Sequence, residues 1–359
     1  MNPLGLTALG LRALAAGFGR NARPFKLTLA PTMRCPYSCT FCHGDNPPQC
    51  DEAPAEAFAE LFARNRFVNW IDLTGGEIFA RNDLPSILHA IRSELPHLAV
   101  LHFPTSGGAD LDLVRSTVHE HRLRSRGRLV VTVSVNGPAA LDSQLRNSPD
   151  SFERSVLTYL TLSEIPGVDV YFGMTLVPQN IDQVQATFGA LSDRVPGLEP
   201  RDLHVNFFNR SSHFFGNINC PGLTSEQTKQ AATKLLELRR REPLRSPLDL
   251  LERWFLRLMP LHLRTGRSPA RCVSLRSNLY IAPDLTVYPC TLWNRPLGKL
   301  EDYGFEIERL LNSDDARQAR QMVEHDRCPG CWTPCEAFPS LLNWRWPATL
   351  LRRSLRDKR

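Results

Sequence analysis

Short apolar runs alternate with longer stretches of helical spacing from the start of the chain to about residue 207. Six of these runs have the length and the β-branched or aromatic character of strands. They span residues 26–30, 69–74, 98–103, 128–135, 168–177 and 202–207. Strands that alternate with helices are typical of βα units around a parallel sheet. The pattern predicts an α/β fold, a (β/α)6 partial TIM barrel whose chemistry lies at the carboxyl ends of its strands.

The rest of the chain divides by pattern into four further segments. Residues 224–265 are helical and charged, which predicts a linker between the barrel (25–223) and a smaller C-terminal unit (266–340). In that unit, the run from Leu279 to Pro289 predicts a β-hairpin around a Pro-Asp turn. Residues 1–24 predict an N-terminal amphipathic segment, and residues 341–359 a basic tail.

Charge and composition exclude several classes of protein. The net charge is +6, but the tail alone carries six cationic side chains and one aspartate, so the remainder is close to neutral and no nucleic-acid partner is predicted. The tail begins with leucines and tryptophans, which is compatible with weak contact with an anionic membrane surface or a partner; a solvated, partly disordered end is the preferred interpretation. The N-terminal apolar run contains Arg12 and resembles neither a signal peptide nor a membrane span.

Cysteines carry the first candidate chemistry. Cys35, Cys39 and Cys42 are spaced C-x3-C-x2-C directly after the first predicted strand. Three thiolates at this spacing can hold three irons of a cubane cluster and leave the fourth iron open. A structural zinc site is the alternative, and it would need a fourth ligand such as His43 or Cys50. Eight of the ten cysteines fall into metal-like groups, which predicts a reducing, cytoplasmic compartment.

The cysteine loop, the aromatic Phe41 before its third cysteine, and Gly75-Gly76-Glu77 after the second strand resemble the radical S-adenosylmethionine (SAM) superfamily. The resemblance implies a [4Fe-4S] cluster whose open iron chelates SAM. It also implies reductive cleavage of SAM to a 5′-deoxyadenosyl radical that abstracts hydrogen from a substrate. Electrons would come from an external donor such as flavodoxin or ferredoxin.

The same resemblance implies a SAM pocket along the barrel rim. Gly75, Gly76 and Glu77 would hold the ammonium group, with the Glu77 carboxylate and nearby carbonyls free to accept hydrogen bonds. A turn after the third strand and a Ser-x-Asn-Gly element after the fourth resemble further family motifs, and Arg146 follows them. Ser134 and Arg146 would meet the SAM carboxylate; a surface position for Arg146 is the alternative. The predicted cofactor-binding residues are Phe41, Gly75, Gly76, Glu77, Ser106, Ser134, Asn136 and Arg146.

A second cysteine set lies in the C-terminal unit, where it resembles the SPASM and twitch extensions of radical SAM enzymes. Those extensions bind auxiliary [4Fe-4S] clusters, and five cysteines suffice for one cluster with one to spare. We assign Cys272, Cys290, Cys328 and Cys331 as ligands and keep Cys335 as a substitute. The match departs at Leu285, which stands where the hairpin turn usually has glycine, and a glycine expected soon after Cys272 is missing. Structural zinc is the alternative here as well.

The resemblance implies an oxidoreductase-like enzyme, and three functions stay open. The first is oxidation of a small polar, sugar- or cyclitol-like metabolite with help from the auxiliary cluster. The second is maturation of a ribosomally made peptide; only 34 residues precede Cys35, fewer than a leader-binding domain needs, which favours the first. The third is a non-catalytic, zinc-stabilised binding protein. A group of polar residues near the sixth strand could contact the substrate, and ordinary loop contacts explain the group equally well. Its members are His204, Asn206, Asn209, Arg210, Ser212, His213 and Asn217.

Overall fold

One twisted sheet organises the protein. The computed structural model describes residues 7, 9–11, 23–42, 51–244 and 247–342. Within these ranges the sheet has nine strands in the order β6-β5-β4-β3-β2-β1-β7-β8-β9. The strands are β1 (Lys26–Thr32), β2 (Trp70–Gly75), β3 (Val100–Thr105), β4 (Arg128–Ser134), β5 (Val168–Leu176), β6 (Leu203–Phe207), β7 (Asn278–Ile281), β8 (Thr286–Tyr288) and β9 (Gly298–Lys299). All six predicted barrel strands are present, and they pair in parallel.

Helices connect the parallel strands, as the βα pattern predicts. The described helices are α1 (Ala55–Arg64), α2 (Leu84–Glu94), α3 (Leu111–Arg124), α4 (Ala139–Arg146), α5 (Ser151–Ser163), α6 (Val184–Ser192), α7 (Ser225–Arg241), α8 (Pro247–Thr265), α9 (Ile307–Leu311), α10 (Asp314–Glu324) and α11 (Pro334–Leu342). The predicted helical linker is therefore two helices, α7 and α8, which pack against each other. None of the described helices is long and apolar enough to cross a membrane.

Alternation along the strands separates the apolar core from a polar interior. Leu27 and Leu29 of β1 join Ile71 and Leu73 of β2 in the main core, which the helices cover. Because successive side chains of a strand point to opposite faces, the residues between them face the inside of the barrel. Lys26 and Asp72 are among these, and the barrel interior is consequently polar over much of its height.

The C-terminal unit continues the barrel sheet. β7 pairs in parallel with β1, and β8 then pairs antiparallel with β7, which confirms the predicted hairpin. Leu285 in the hairpin turn has φ +61° although its side chain is fully buried. The turn thus keeps a left-handed conformation that glycine adopts more easily. The α/β class and the mostly parallel sheet are confirmed, whereas the domain boundaries and the twitch character of the extension stay predictions.

Candidate functional site

The first cysteine loop lies at the carboxyl end of β1. The backbone amide of Cys42 donates to the Cys39 carbonyl at 3.1 Å. Burial raises the pKa of all three thiols, and it brings the pKa of Cys35 to about 11. The neighbouring thiols of Cys39 and Cys35 raise the pKa of Cys42 further. The three thiols therefore lie close enough to influence one another. Such a set suits iron, because a bound cation stabilises the thiolate form. His43 and Cys50 lie outside the described residues.

The glycine pair packs directly against this loop. The Gly76 amide donates to Thr32 O at 2.9 Å, and the Glu77 amide donates to Arg34 O at 2.8 Å. A Cβ on Gly75 would lie 2.2 Å from Thr32 O, and one on Gly76 would lie 2.1 Å from Arg34 O. Gly75 also has φ +102°. Only glycine lets these two backbone segments approach so closely.

The Glu77 carboxylate is hydrogen-bonded within the protein. Its Oε2 accepts from Thr105 Oγ1 at 2.9 Å and from both the backbone amide and the hydroxyl of Ser106 at 2.6 Å. Its Oε1 faces the Phe79 amide at 3.4 Å. Burial raises the pKa of Glu77. Glu77 therefore joins the ends of β2 and β3, and its contact with an ammonium group and that of Ser106 with the cofactor stay predictions.

The element after β4 forms a second buried network. The backbone amide of Asn136 donates to Asp142 Oδ1 at 2.6 Å. The side-chain oxygen of Asn136 accepts from the backbone amide of Thr175 at 3.0 Å. Asn180 donates to the carbonyls of Asn136 and Thr175, both at 2.9 Å. Asn136 thus fastens β4 to β5. Asn180 is fully buried and was not predicted; its position directly after strand five was the only signal.

Arg146 lies beneath the cysteine loop with 1% of its surface exposed. Its guanidinium donates to Ser134 O and Ser155 Oγ, each at 2.9 Å, and to Ser106 O. The guanidinium carbon lies 4.4 Å from the centre of the Tyr37 ring. Arg146 is therefore close to the predicted site, but it is not on the surface, and it is bonded to the protein itself.

The loop after β6 connects the two cysteine regions. Asn217 donates to Phe41 O at 3.0 Å and Asn209 O at 2.9 Å, so it holds the residue before Cys42. His213 Nε2 lies 3.1 Å from the carbonyl oxygen of Cys290. These two members of the predicted substrate group thus make loop contacts.

Four of the C-terminal cysteines share one cavity. Its lining includes Cys272, Cys290, Cys328 and Cys331. The pKa of each of these four thiols is raised, and burial is the largest cause. The pKa of Cys331 is raised in addition by the nearby Cys290, Cys272 and Cys328. Cys335 is not among the lining residues. The cavity brings together the four cysteines that the family resemblance implies as ligands, and their role as ligands stays a prediction.

Cys335 belongs to a different environment. Its carbonyl accepts from Lys26 Nζ at 2.9 Å, and Lys26 and Asp72 are the nearest charges that act on its thiol. Among the described residues, no three His, Cys, Asp or Glu side chains are arranged as ligands of one single metal ion.

A row of polar side chains crosses the barrel interior, and the sequence reasoning missed it. Lys26 Nζ pairs with Asp72 Oδ2 at 2.7 Å, His102 Nδ1 lies 3.3 Å from Asp72 Oδ1, and His102 Nε2 lies 3.0 Å from Thr132 Oγ1. The His102 side chain is 30% exposed, so the row borders open space. His204 lies inside the barrel too, stacked on Tyr171 at 4.4 Å, and not at the rim. The signal was polar residues at every second strand position.

No protein-family model and no curated protein matches this chain. Several solved structures match it in fold. Native anSMEcpe with bound AdoMet, which is SAM, is 13% identical with a TM-score of 0.61, over 93% of this chain and 98% of that one. Streptococcus suis SuiB bound to S-adenosylmethionine is 14% identical with a TM-score of 0.59, over 84% and 68%.

A further match is SuiB bound to precursor peptide SuiA, at 12% identity and a TM-score of 0.58, over 91% of this chain and 74% of that one. Identities this low establish the fold alone. The predicted partial barrel is confirmed at that level. This chain has the fold of SAM-binding structures, as its resemblance to the radical SAM superfamily implies.

Proposed function

We propose that this protein is a radical SAM enzyme. The observation that carries the proposal is the first cysteine loop, whose three mutually close thiols lie against a glycine pair at the carboxyl edge of a parallel sheet. That edge is where barrels of this kind carry their chemistry. The solved structures that share the fold contain SAM.

Each group in the site has a defined task in this proposal. Cys35, Cys39 and Cys42 would hold a [4Fe-4S] cluster. When bound, the cluster and SAM supply a 5′-deoxyadenosyl radical that abstracts hydrogen from the substrate. Backbone carbonyls of Gly75 and Gly76 would accept from the SAM ammonium, because the Glu77 carboxylate is already bonded to Ser106.

Three further predicted cofactor contacts keep their roles as parts of the proposal. Phe41 would lie against SAM beside the third cysteine, and Ser134 would donate to the SAM carboxylate. Asn136 supports the pocket through its bond to β5. These assignments are tested by SAM affinity in Phe41→Ala and Ser134→Ala proteins, with Asn209→Ala as control, because Asn209 bonds only within its own loop and to Asn217.

The C-terminal cavity would hold an auxiliary [4Fe-4S] cluster on Cys272, Cys290, Cys328 and Cys331. Such a cluster can accept the second electron of a two-electron oxidation. The first cluster would receive its electron from an external donor such as flavodoxin or ferredoxin.

For the substrate, the polar barrel interior favours a small polar metabolite. The half-buried His102 and its partner Thr132 offer hydrogen-bond partners to hydroxyl or amino groups, whereas both Asp72 oxygens already have partners within the protein. A peptide is the second candidate, because structures with this fold hold the peptide SuiA and a Cp18Cys peptide. Formation of 5′-deoxyadenosine, measured with a small-molecule extract and separately with a peptide fraction, distinguishes the two.

The first experiment is metal analysis after anaerobic reconstitution. Iron, acid-labile sulfide and zinc are measured per chain in the wild type and in the Cys35→Ala/Cys39→Ala/Cys42→Ala variant. About eight irons that fall to about four in the variant support two clusters. If the wild type binds only about four irons, and the variant loses them while zinc is retained, the auxiliary cluster is removed from the proposal. Absence of iron, with zinc bound, would refute the enzyme and leave a zinc-stabilised binding protein.

A further inference from the structure

Arg146 is buried where a free cation would be unstable. It is the last residue of α4, and Asn147 ends the helix in a left-handed conformation with φ 52°. Burying an ionised group costs several kcal/mol unless hydrogen bonds and opposite charges compensate it. The hydrogen-bond partners of Arg146 therefore indicate which part of the protein it holds in place.

Those partners belong to three elements. Ser106 O lies after β3, Ser134 O ends β4, and Ser155 Oγ belongs to α5; all three accept from the guanidinium. Asp142, fully buried one turn earlier in α4, lies 3.6 Å away and balances the charge. Three of the five N–H groups of the fork are thus occupied by the protein.

The remaining surface of the guanidinium faces the cysteine loop. Tyr37 covers it at 4.4 Å. Residues on either side of Arg146 also hold the loop: the Thr40 amide donates to Leu145 O at 2.9 Å, and Asn147 donates to Ser38 Oγ at 3.0 Å.

We propose that Arg146 is a positioning residue for the first cysteine loop and not the group that binds the SAM carboxylate. It holds Tyr37 and the backbone that follows it against the ends of β3 and β4. A ligand carboxylate cannot reach a guanidinium that is 1% exposed without displacing these contacts. The inference rests on the proposed function, because it assigns a role toward the cluster.

The test uses the reconstituted full-length protein with Arg146→Met and Arg146→Lys. The probes are the electron paramagnetic resonance spectrum of the reduced first cluster without SAM, iron release to a chelator, and SAM affinity by equilibrium dialysis. We expect Arg146→Met to change the SAM-free spectrum and to accelerate iron release several-fold, while the SAM affinity of intact clusters changes little. Arg146→Lys keeps the charge but lacks the fork, so it should restore the spectrum only in part.

A carboxylate ligand would behave in the opposite way. Loss of a charge-assisted pair costs about 1.5–3 kcal/mol, which is about a tenfold to hundredfold loss of affinity. An unchanged SAM-free spectrum combined with such a loss of SAM affinity would overturn the proposal.

Arg122 is the matched control. It donates to the carbonyls of Ser125 and Gly127 in the turn before β4, at 2.9 and 3.2 Å, and within the described residues no hydrogen bond joins it to the cysteine loop. Arg122→Met should loosen that turn without altering the SAM-free spectrum. An equal spectral change in both variants would mean general loosening and would refute a specific role for Arg146.

A cluster-independent readout separates this proposal from the proposed function. In apo protein, Arg146→Met should speed hydrogen exchange in a peptide containing Thr40, and Arg122→Met should not. If the wild type binds no iron, the enzyme proposal fails, yet this exchange result still decides whether Arg146 holds the loop. Equal exchange in wild type and Arg146→Met would overturn the positioning role.

Discussion

Replacement of Gly76 by alanine tests whether the glycine pair sets the position of the first cysteine loop. The new Cβ would lie 2.1 Å from Arg34 O and 2.7 Å from the carbonyl carbons of Met33 and Arg34. All three are backbone atoms, so no side-chain rotation relieves the clash. The two segments must separate by about 1 Å before the contact becomes an ordinary one.

The expected cost follows from the bonds that this separation breaks. The Gly76 to Thr32 and Glu77 to Arg34 hydrogen bonds contribute about 1 kcal/mol each, and overpacking adds about 1–3 kcal/mol. Gly76→Ala should therefore lower the free energy of unfolding by about 3–5 kcal/mol. Since Arg34 precedes Cys35, the variant should also lose iron from the first cluster and keep the auxiliary iron.

Urea unfolding of the apo protein and iron per chain after reconstitution measure the two effects. Gly189→Ala is the control, because Gly189 is exposed in α6 with no atom within 4 Å of the added Cβ. Alanine should stabilise that helix by up to about 1 kcal/mol. A Gly76→Ala protein with the stability and the iron content of the wild type would refute the steric argument.

Three other predictions follow from single sites. Cys331→Ser should lose the auxiliary iron whereas Cys335→Ser should retain it; the reverse, by iron analysis, would reassign the ligands. Leu285→Gly relieves about 1–3 kcal/mol of strain from the left-handed backbone conformation, but it removes a buried side chain that contributes about 2–5 kcal/mol. The variant should therefore be less stable than the wild type in urea unfolding. Equal stability would show that strain dominates. Burial lowers the pKa of His121 to about 4, so the unfolded chain binds the proton first as pH falls below about 6.5, and stability should drop by about 2 kcal/mol from pH 7 to pH 5. His121→Leu should make the fall in stability from pH 7 to pH 5 smaller by about 2 kcal/mol, and the remaining fall would come from other buried histidines such as His204. A variant with the same pH dependence as the wild type would contradict this.

Local patterns predicted the elements well. The six barrel strands and the hairpin follow from apolar runs bounded by turn residues, which report burial directly. The choice of Cys272, Cys290, Cys328 and Cys331 over Cys335 also agrees with the cavity that the structure shows. These features depend on neighbours close in the sequence.

Contacts between distant residues were beyond such reasoning. Glu77 meets Ser106 across 29 positions of the chain, a partner that the sequence did not reveal. His204 was predicted only as a residue near the sixth strand, and the structure shows that it stacks on Tyr171 inside the barrel. A side chain's partner depends on how strands align in space, and spacing along the chain does not contain that information.

By itself, the sequence determined the alternation of strands and helices and the two sets of clustered thiols, because periodicity and short spacing are local properties. Tertiary structure decided which polar groups remain available. Packing of β3, β4 and α5 around Arg146 uses most of its guanidinium, and the pairing of β7 with β1 brings Cys335 to Lys26. Buried polar groups must find partners, and only the folded chain shows which partners are within reach.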